Sequence, residues 1–224
     1  LFIESAASYG LHITHLVEGC GLQRVPVCGD KSGKKSGAYT FHSDGVPSGF
    51  IENHKTGERT NWCSKESSIL TNDERRANSQ RIEADKRQRQ EEEKAKYEQT
   101  ANQCQTQWPN LPIAKNEHPY LKLKGVEAIG LRLLNNLLVV PLCNTRGDLK
   151  SWQTIDDGGE KRFATGGQKK GHYHTIGTPQ DLIYVCEGYA TGATIHALTG
   201  QAVAVAFDAG NLNPVAKLLS KYQP

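Results

Sequence analysis

The stretch Leu182-Ile-Tyr-Val-Cys-Glu187-Gly188 ends an apolar run of strand character on a carboxylate. A glycine follows at once, then the small-residue helix start Tyr189-Ala-Thr-Gly-Ala-Thr-Ile195. That order sets Glu187 at the carboxyl end of a buried strand, the edge where open α/β sheets gather ligands and metals. Gly188 lets the chain turn sharply without a Cβ clash. The helix N-terminus beyond it offers free N–H groups to an anion. The alternative reading of Glu187 is an ordinary solvent-facing loop carboxylate.

The elements around this point read as one parallel unit. Ala190 to Leu198 forms a helix with Gly200 as its left-handed stop. Ala202-Val-Ala-Val-Ala-Phe207 is a second buried strand, near-continuously apolar, and it brings Asp208, Gly210 and Asn211 to the edge that carries Glu187. Asn213 before Pro214 predicts an N-cap and a first helical position, hence a helix from Val215 to Lys221. The order is β-α-β-α, right-handed by default. Upstream, Leu137 to Leu142 and Leu149 to Ile155 predict a hairpin around the turn Asn144-Thr-Arg-Gly147-Asp148. Lys161-Arg-Phe163, the flexible Gly166-Gly-Gln-Lys169-Lys170-Gly171 and a short strand His172 to Ile176 follow.

The pair of strings Val185-Cys-Glu187-Gly188-Tyr-Ala-Thr191 and Val205-Ala-Phe207-Asp208-Ala-Gly210-Asn211-Leu212 resembles the Toprim domain of phage- and plasmid-type DNA primases and primase-helicases. The resemblance implies Glu187 as the catalytic carboxylate and a metal ligand, with Asp208 as a weaker one. It also implies Mg²⁺ or Mn²⁺ as cofactor, RNA-primer synthesis by nucleotidyl transfer, and single-stranded DNA and ribonucleotides as partners, with a helicase domain or protein beside them. One departure matters: a Toprim site needs an Asp-x-Asp cluster after its third strand, and none follows Tyr222-Gln-Pro224. Two carboxylates are too few for an ion that wants octahedral oxygen coordination. The chain stops where the next strand should begin and contains no methionine, so the expectation is a piece of a longer enzyme. A non-catalytic nucleic-acid-binding module with the same fold, or a Toprim nuclease, are the other readings.

The region before the Toprim-like unit is similar to the basal part of the primase polymerase core. That similarity implies Lys161 and Arg162 as the leading phosphate contacts, then Lys169, Lys170 and Lys150. Lysine and arginine on a Gly-flanked backbone are suited to a polyanion, although a solvated loop tip would look the same. Trp152 and Phe163 are either base-stacking surfaces or the buried aromatics of a small sheet. His118-Pro-Tyr120-Leu121-Lys-Leu-Lys124-Gly125 resembles the element that opens the same core: a short helix begun by Tyr120 and ended at Lys124-Gly125.

Asp73 to Glu98 mixes Glu, Lys, Arg and Gln with scarcely a large apolar residue. These are good helix formers, and Glu83 with Arg87 and Glu92 with Lys96 have the favourable i,i+4 order. No heptad is sustained, so a single solvated helix of roughly 35 residues, about 50 Å long, is expected as a spacer docked near its ends by Leu70 and Trp108. Ahead of it, a short helix from Phe2 to Gly10 precedes four strands at Leu22 to Cys28, Gly37 to His42, Gly49 to Asn53 and Arg59 to Trp62, joined as a meander by glycine-rich turns. Cys20, Cys28, His42, His54 and Cys63 could ligate zinc, but no close Cys-x-x-Cys pair exists, so zinc is not expected. Gly37-Ala-Tyr39-Thr-Phe-His42, Asp44-Gly45-Val-Pro47-Ser-Gly49 and Thr56-Gly57 before Trp62 look like the metal-free N-terminal module of plasmid primases. Arg24, Lys31, Lys34 and Lys35 would then face nucleic acid.

The fold class is therefore α/β, or α+β over the whole chain. The expected parts are a β-rich module at 1–66, a charged helical connector at 67–110, a primase-core-like β region at 111–178 and a truncated parallel βαβα unit at 179–224. A net charge of +3 permits a nucleic-acid partner without demanding one. Six scattered cysteines suggest reduced thiols and a cytoplasmic protein. No long apolar span points to a membrane.

Overall fold

The computed structural model describes residues 1–66 and 68–221, and of Cys20 only the backbone, so Cys20 as a candidate ligand lies outside the described side chains. The chain divides into two compact units, Leu1–Glu93 and Lys94–Pro224. Mixed α/β architecture is present as expected.

The first unit runs α1 (Phe2–Ser8), β1 (Gly19–Val25), β2 (Gly37–His42), β3 (Ser48–Asn53) and β4 (Arg59–Cys63), followed by α2 (Asn72–Gln107), whose first part belongs to it. The strands form an antiparallel meander in the order β1-β2-β3-β4. Strand β1 lies earlier than Leu22 to Cys28, because Val27 bridges to Leu11 instead of continuing the ladder. The paired row Phe41, Gly49, Trp62 and its neighbour Tyr39, Ile51 face α1. There Phe2 packs on the Phe41 and Trp62 rings at 4.8 and 5.2 Å. Gly49 is required at this crossing, since a Cβ would stand 2.8 Å from the Phe2 ring.

Alternation along the strands sends Thr40, His42, Ser48, Phe50 and Asn61 to the other face. That face is covered by α2, and the contact is polar. Asp85, only 6 % exposed, takes the His42 Nε2 at 2.9 Å and the Thr40 hydroxyl at 3.4 Å. Helix α2 has 36 residues, close to the expected length; Leu70 before it is buried and Trp108 after it is packed, and further contacts are made between these ends. A buried carboxylate in mid-helix and Arg81, bonded to the Asp44 carboxylate at 2.7 Å, hold it along its length. Among the described residues an i,i+4 ion pair on it joins Lys94 to Glu98, at 3.9 Å.

In the second unit the end of α2 buries Ala101 and Cys104, the latter against Val139, Leu149 and Trp152. After a 3-10 turn at Trp108–Asn110 come α3 (Pro119–Lys124), β5 (Arg132–Leu134), β6 (Leu137–Cys143), β7 (Leu149–Ile155) and β8 (Lys161–Phe163), an antiparallel sheet in that order. Helix α3 starts and stops as expected, with the His118 Nδ1 accepting the Tyr120 N–H and Gly125 at φ 63°. Pro141 lies in β6 beyond the stretch that β5 pairs with, so its missing N–H breaks no ladder. Then follow β9 (His174–Ile176), β10 (Ile183–Cys186), α4 (Tyr189–Thr199), β11 (Ala202–Val205) and α5 (Ala209–Leu219). Strands β10 and β11 are parallel, β9 adds antiparallel to β11, and paired bonds between Cys143 and Tyr173 tie this sheet to β6. One core, including Leu121, Leu138, Ile155, Ile176, Val203 and Tyr189, runs through both sheets.

The helix expected from Val215 begins instead at Ala209, with Asp208 as its cap, and Pro214 lies inside it. The Asn-Pro signal is local; the Asp208 cap satisfies the first turn earlier, and the proline forfeits a single backbone bond in the second turn. Among the described residues no helix is long and apolar enough to cross a membrane.

His174, 5 % exposed, donates Nε2–H to the Ile129 carbonyl at 3.0 Å, and burial pushes its pKa down to about 4. The unfolded chain accepts a proton near the ordinary 6.5 while the folded one refuses it. This stability is therefore complete above that pH and lost as pH falls toward 4. Urea unfolding should show a loss of about 2 kcal/mol between roughly pH 7.5 and 5. The non-titrating His174→Gln should flatten that part of the slope; an unchanged slope would refute the assignment.

Candidate functional site

Glu187 directly follows β10 and is exposed at the carboxyl edge of the parallel strands. Gly188 is the N-cap of α4 at φ −117°, ψ 150°, and no side chain caps that end. The first N–H groups of α4 thus remain available to an anion. Lys161 supplies a cation there: its Nζ lies 3.5 Å from where a Cβ on Gly188 would stand.

The neighbouring helix end is different. The Asp208 Oδ1 accepts the Asn211 N–H at 3.0 Å, closing the N-terminus of α5, and its Oδ2 is paired with the Lys169 ammonium. Lys169 also stands 5.1 Å over the Phe163 ring, which meets Phe207 edge-on at 6.0 Å. Phe207 has φ 73°, a conformation a bulky side chain rarely adopts. This strained residue is the step from β11 to its capping carboxylate.

These contacts bring Lys161, Phe163 and Lys169 to the edge that carries Glu187 and Asp208. Arg162 is not brought there. Alternation in β8 turns it to the opposite face, where its guanidinium holds the Glu160 carboxylate at 2.9 and 3.0 Å. Lys170 is exposed, and its carbonyl accepts from the His172 Nδ1–H at 3.0 Å. Lys150, half-buried in β7, lies near His172; that imidazole's pKa is lowered first by burial and further by the Lys150 charge. Of the two aromatics, Trp152 is a buried core residue, whereas Phe163 is 37 % exposed.

Two residues that sequence reasoning gave no role hold this edge together. Asn211, 2 % exposed, donates Nδ2–H to the carbonyls of Lys169, His172 and Ala206 and accepts the Gly171 N–H at 2.7 Å. It clamps the basic glycine-flanked loop to the end of β11. Tyr189 donates to the Glu127 carbonyl and accepts from the Ile129 N–H, both at 2.7 Å, and burial pushes its phenol up to about 12. It anchors the first turn of α4. Cys186, beside Glu187, is held as a thiol by burial, at about 11.

The residues at this edge fit a divalent cation only in part. Glu187 offers one exposed hard-oxygen ligand, Asp208 is committed to Asn211 and Lys169, and among the described residues no three His, Cys, Asp or Glu side chains are placed to hold a metal. What the edge does present is a helix start without a side-chain cap and one ammonium beside it.

The chain is similar along nearly its whole length to two proteins of Escherichia coli, each named DNA primase TraC. It is 33% identical to one over 230 residues, covering 97% of this chain and 22% of that protein. To the other it is 36% identical over 205 residues, covering 88% of this chain and 14% of that protein. It therefore spans less than a quarter of the length of either. No family model matches it. No solved structure matches it.

Replacing Asn211 by Ala strands three carbonyls and one N–H around a buried point. Asn211→Ala should destabilise the second unit by about 2 to 4 kcal/mol in urea unfolding and raise hydrogen exchange at Gly171. Exchange at Gly171 equal to wild type would show that the loop does not depend on the clamp.

Proposed function

We propose that these 224 residues are part of a plasmid-type DNA primase, and that residues 179–224 belong to its Toprim domain. The similarity to the TraC primases supports the first statement. The parallel β10-α4-β11 crossover with Glu187 at its edge supports the second. The observation that carries the reading is Lys161 above Gly188, beside an uncapped helix N-terminus and an exposed carboxylate.

In this reading a ribonucleotide phosphate lies against the first N–H groups of α4 and the Lys161 ammonium, which together offset its charge. Phe163, backed by Phe207, gives a partly exposed aromatic surface beside it. Single-stranded DNA is the template. Glu187 would contribute one ligand to Mg²⁺ or Mn²⁺, with the remaining carboxylates supplied from outside these 224 residues. Lys150, Arg162 and Lys170 stay as outlying phosphate contacts, of which Arg162 is already paired. The commitment of Asp208 to Lys169 favours a second reading, a module that binds nucleic acid without catalysing transfer.

Primer synthesis by the full-length protein separates the two. Glu187→Gln should lower it by roughly a hundredfold or more while leaving DNA binding intact. A normal rate would rule out the catalytic assignment. Lys161→Ala should raise the ribonucleotide KM roughly tenfold, and Arg162→Ala should change it little. The reverse order would place the phosphate on the other face of β8.

A further inference from the structure

The two halves of the Lys169–Asp208 ion pair are held differently. The Asp208 carboxylate is fixed, because its Oδ1 accepts the Asn211 N–H and caps α5. Its Oδ2 is buried under the Lys169 ammonium and has no further polar partner among the described residues. Lys169 is fixed at its backbone, where its carbonyl accepts from the Asn211 Nδ2–H at 3.2 Å. Beyond that point a flexible four-carbon stem carries an ammonium with three donors. The side chain is 42 % exposed, so the ammonium can be reached from solvent.

Its surroundings suit an anion. The ammonium stands 5.1 Å over the Phe163 ring. Phe163 and Lys161 are two residues apart in β8 and share a face of that strand, and Lys161 stands beside Gly188. Lys169 thus extends the cationic side of the edge by a second position.

In the ion pair, however, the charge of Lys169 is cancelled. A phosphate approaching the ammonium meets the Asp208 charge as well. Drawing the ammonium away strands a buried carboxylate oxygen, which is costly. Phosphate and Asp208 therefore compete for one cation.

We propose that Asp208 masks a second phosphate subsite on Lys169, next to Lys161, and that a ligand binds there by exchanging one ion pair for another. The inference rests on the primase reading for the source of the phosphate, a single-stranded template or a ribonucleotide. It makes Asp208 an internal stand-in for phosphate instead of a metal ligand. The backbone clamp by Asn211 confines the exchange to rotation of the lysine side chain.

Such an exchange has a signature in salt. A phosphate that gains an ammonium releases the cation condensed on it. During the exchange the freed carboxylate draws a cation in return, and the two effects cancel. With the carboxylate neutralised, the release remains.

The test uses the full-length protein in EDTA, so that no divalent cation contributes, with oligothymidylate and a ribonucleoside triphosphate as separate ligands. Asp208→Asn keeps an N-cap of similar strength and removes the charge. It should bind roughly threefold tighter to the ligand that uses the subsite, on the scale of an exposed ion pair. Whichever ligand gains identifies the source of the phosphate. If it is oligothymidylate, the slope of log K against log salt should steepen by about 0.7, one further contact on a single strand. Adding Lys169→Ala to Asp208→Asn should abolish the gain and restore the slope. Asp208→Ser, also a good cap, replaces Asp208→Asn if that variant does not fold. Unchanged affinity for both ligands in a folded variant, or a gain that survives Lys169→Ala, overturns the proposal. Primer synthesis that depends on Glu187, with no gain in binding by Asp208→Asn, sinks this inference alone. Tighter binding by Asp208→Asn in a protein that makes no primers sinks the function reading alone.

Discussion

The carboxyl edge of the parallel strands depends on the need to satisfy buried backbone groups where β11 ends. Asn211 meets that need with one side chain, taking three carbonyls and one N–H from segments some forty residues apart in the chain. A primary amide offers two N–H hydrogens, one of them shared between two carbonyls here, and an oxygen that accepts. The loop over residues 169–172 is glycine-flanked, and Asn211 adds to the Lys169–Asp208 pair and the Cys143–Tyr173 bonds that hold it. With it pinned, Lys169 reaches Asp208 and Phe163, and the basic and acidic parts of the site become neighbours.

The two helix starts on this edge have opposite chemistry. Helix α5 is closed by the Asp208 side chain, and its negative charge is further neutralised by Lys169. Helix α4 begins at a glycine that can cap nothing with a side chain. Its dipole end and the nearby Lys161 remain for a ligand. Of the two β-α turns on this edge, the residues after the strand decide which helix end is capped: Glu187-Gly188 leaves α4 without a side-chain cap, Phe207-Asp208 closes α5.

The first unit shows how a helix with almost no apolar residues can still be docked. Its sheet has an aromatic face for α1 and a polar face for α2, and the second contact is built from Asp85, His42, Thr40 and Arg81. Buried polar contacts of this kind contribute modestly to net stability but penalise any misplacement of the partners.

The strands β6, β7, β10 and β11, the meander of the first unit and the length of α2 were legible in the chain, because burial imposes period-2 or continuous apolar patterns and helix formers accumulate over long runs. Glu187 was legible for the same reason: a strand followed by Glu-Gly places a carboxylate at a sheet edge whatever the rest does. The helix start at Ala209 was not, since Asn213-Pro214 is the stronger local signal and only the geometry of the β11 exit favours Asp208. Which of Lys161 and Arg162 faces Gly188 was beyond sequence too. Alternation says they point apart, but the side is set by the pairing of β8 with β7, where Lys161 stands opposite Ile155. Asp85, Asn211 and Tyr189 carry no periodic signature at all, because a hydrogen bond to a distant segment leaves no pattern in its own neighbourhood. Local chemistry determined the elements and the carboxylate; only tertiary packing decided which cation, which cap and which buried amide would meet it.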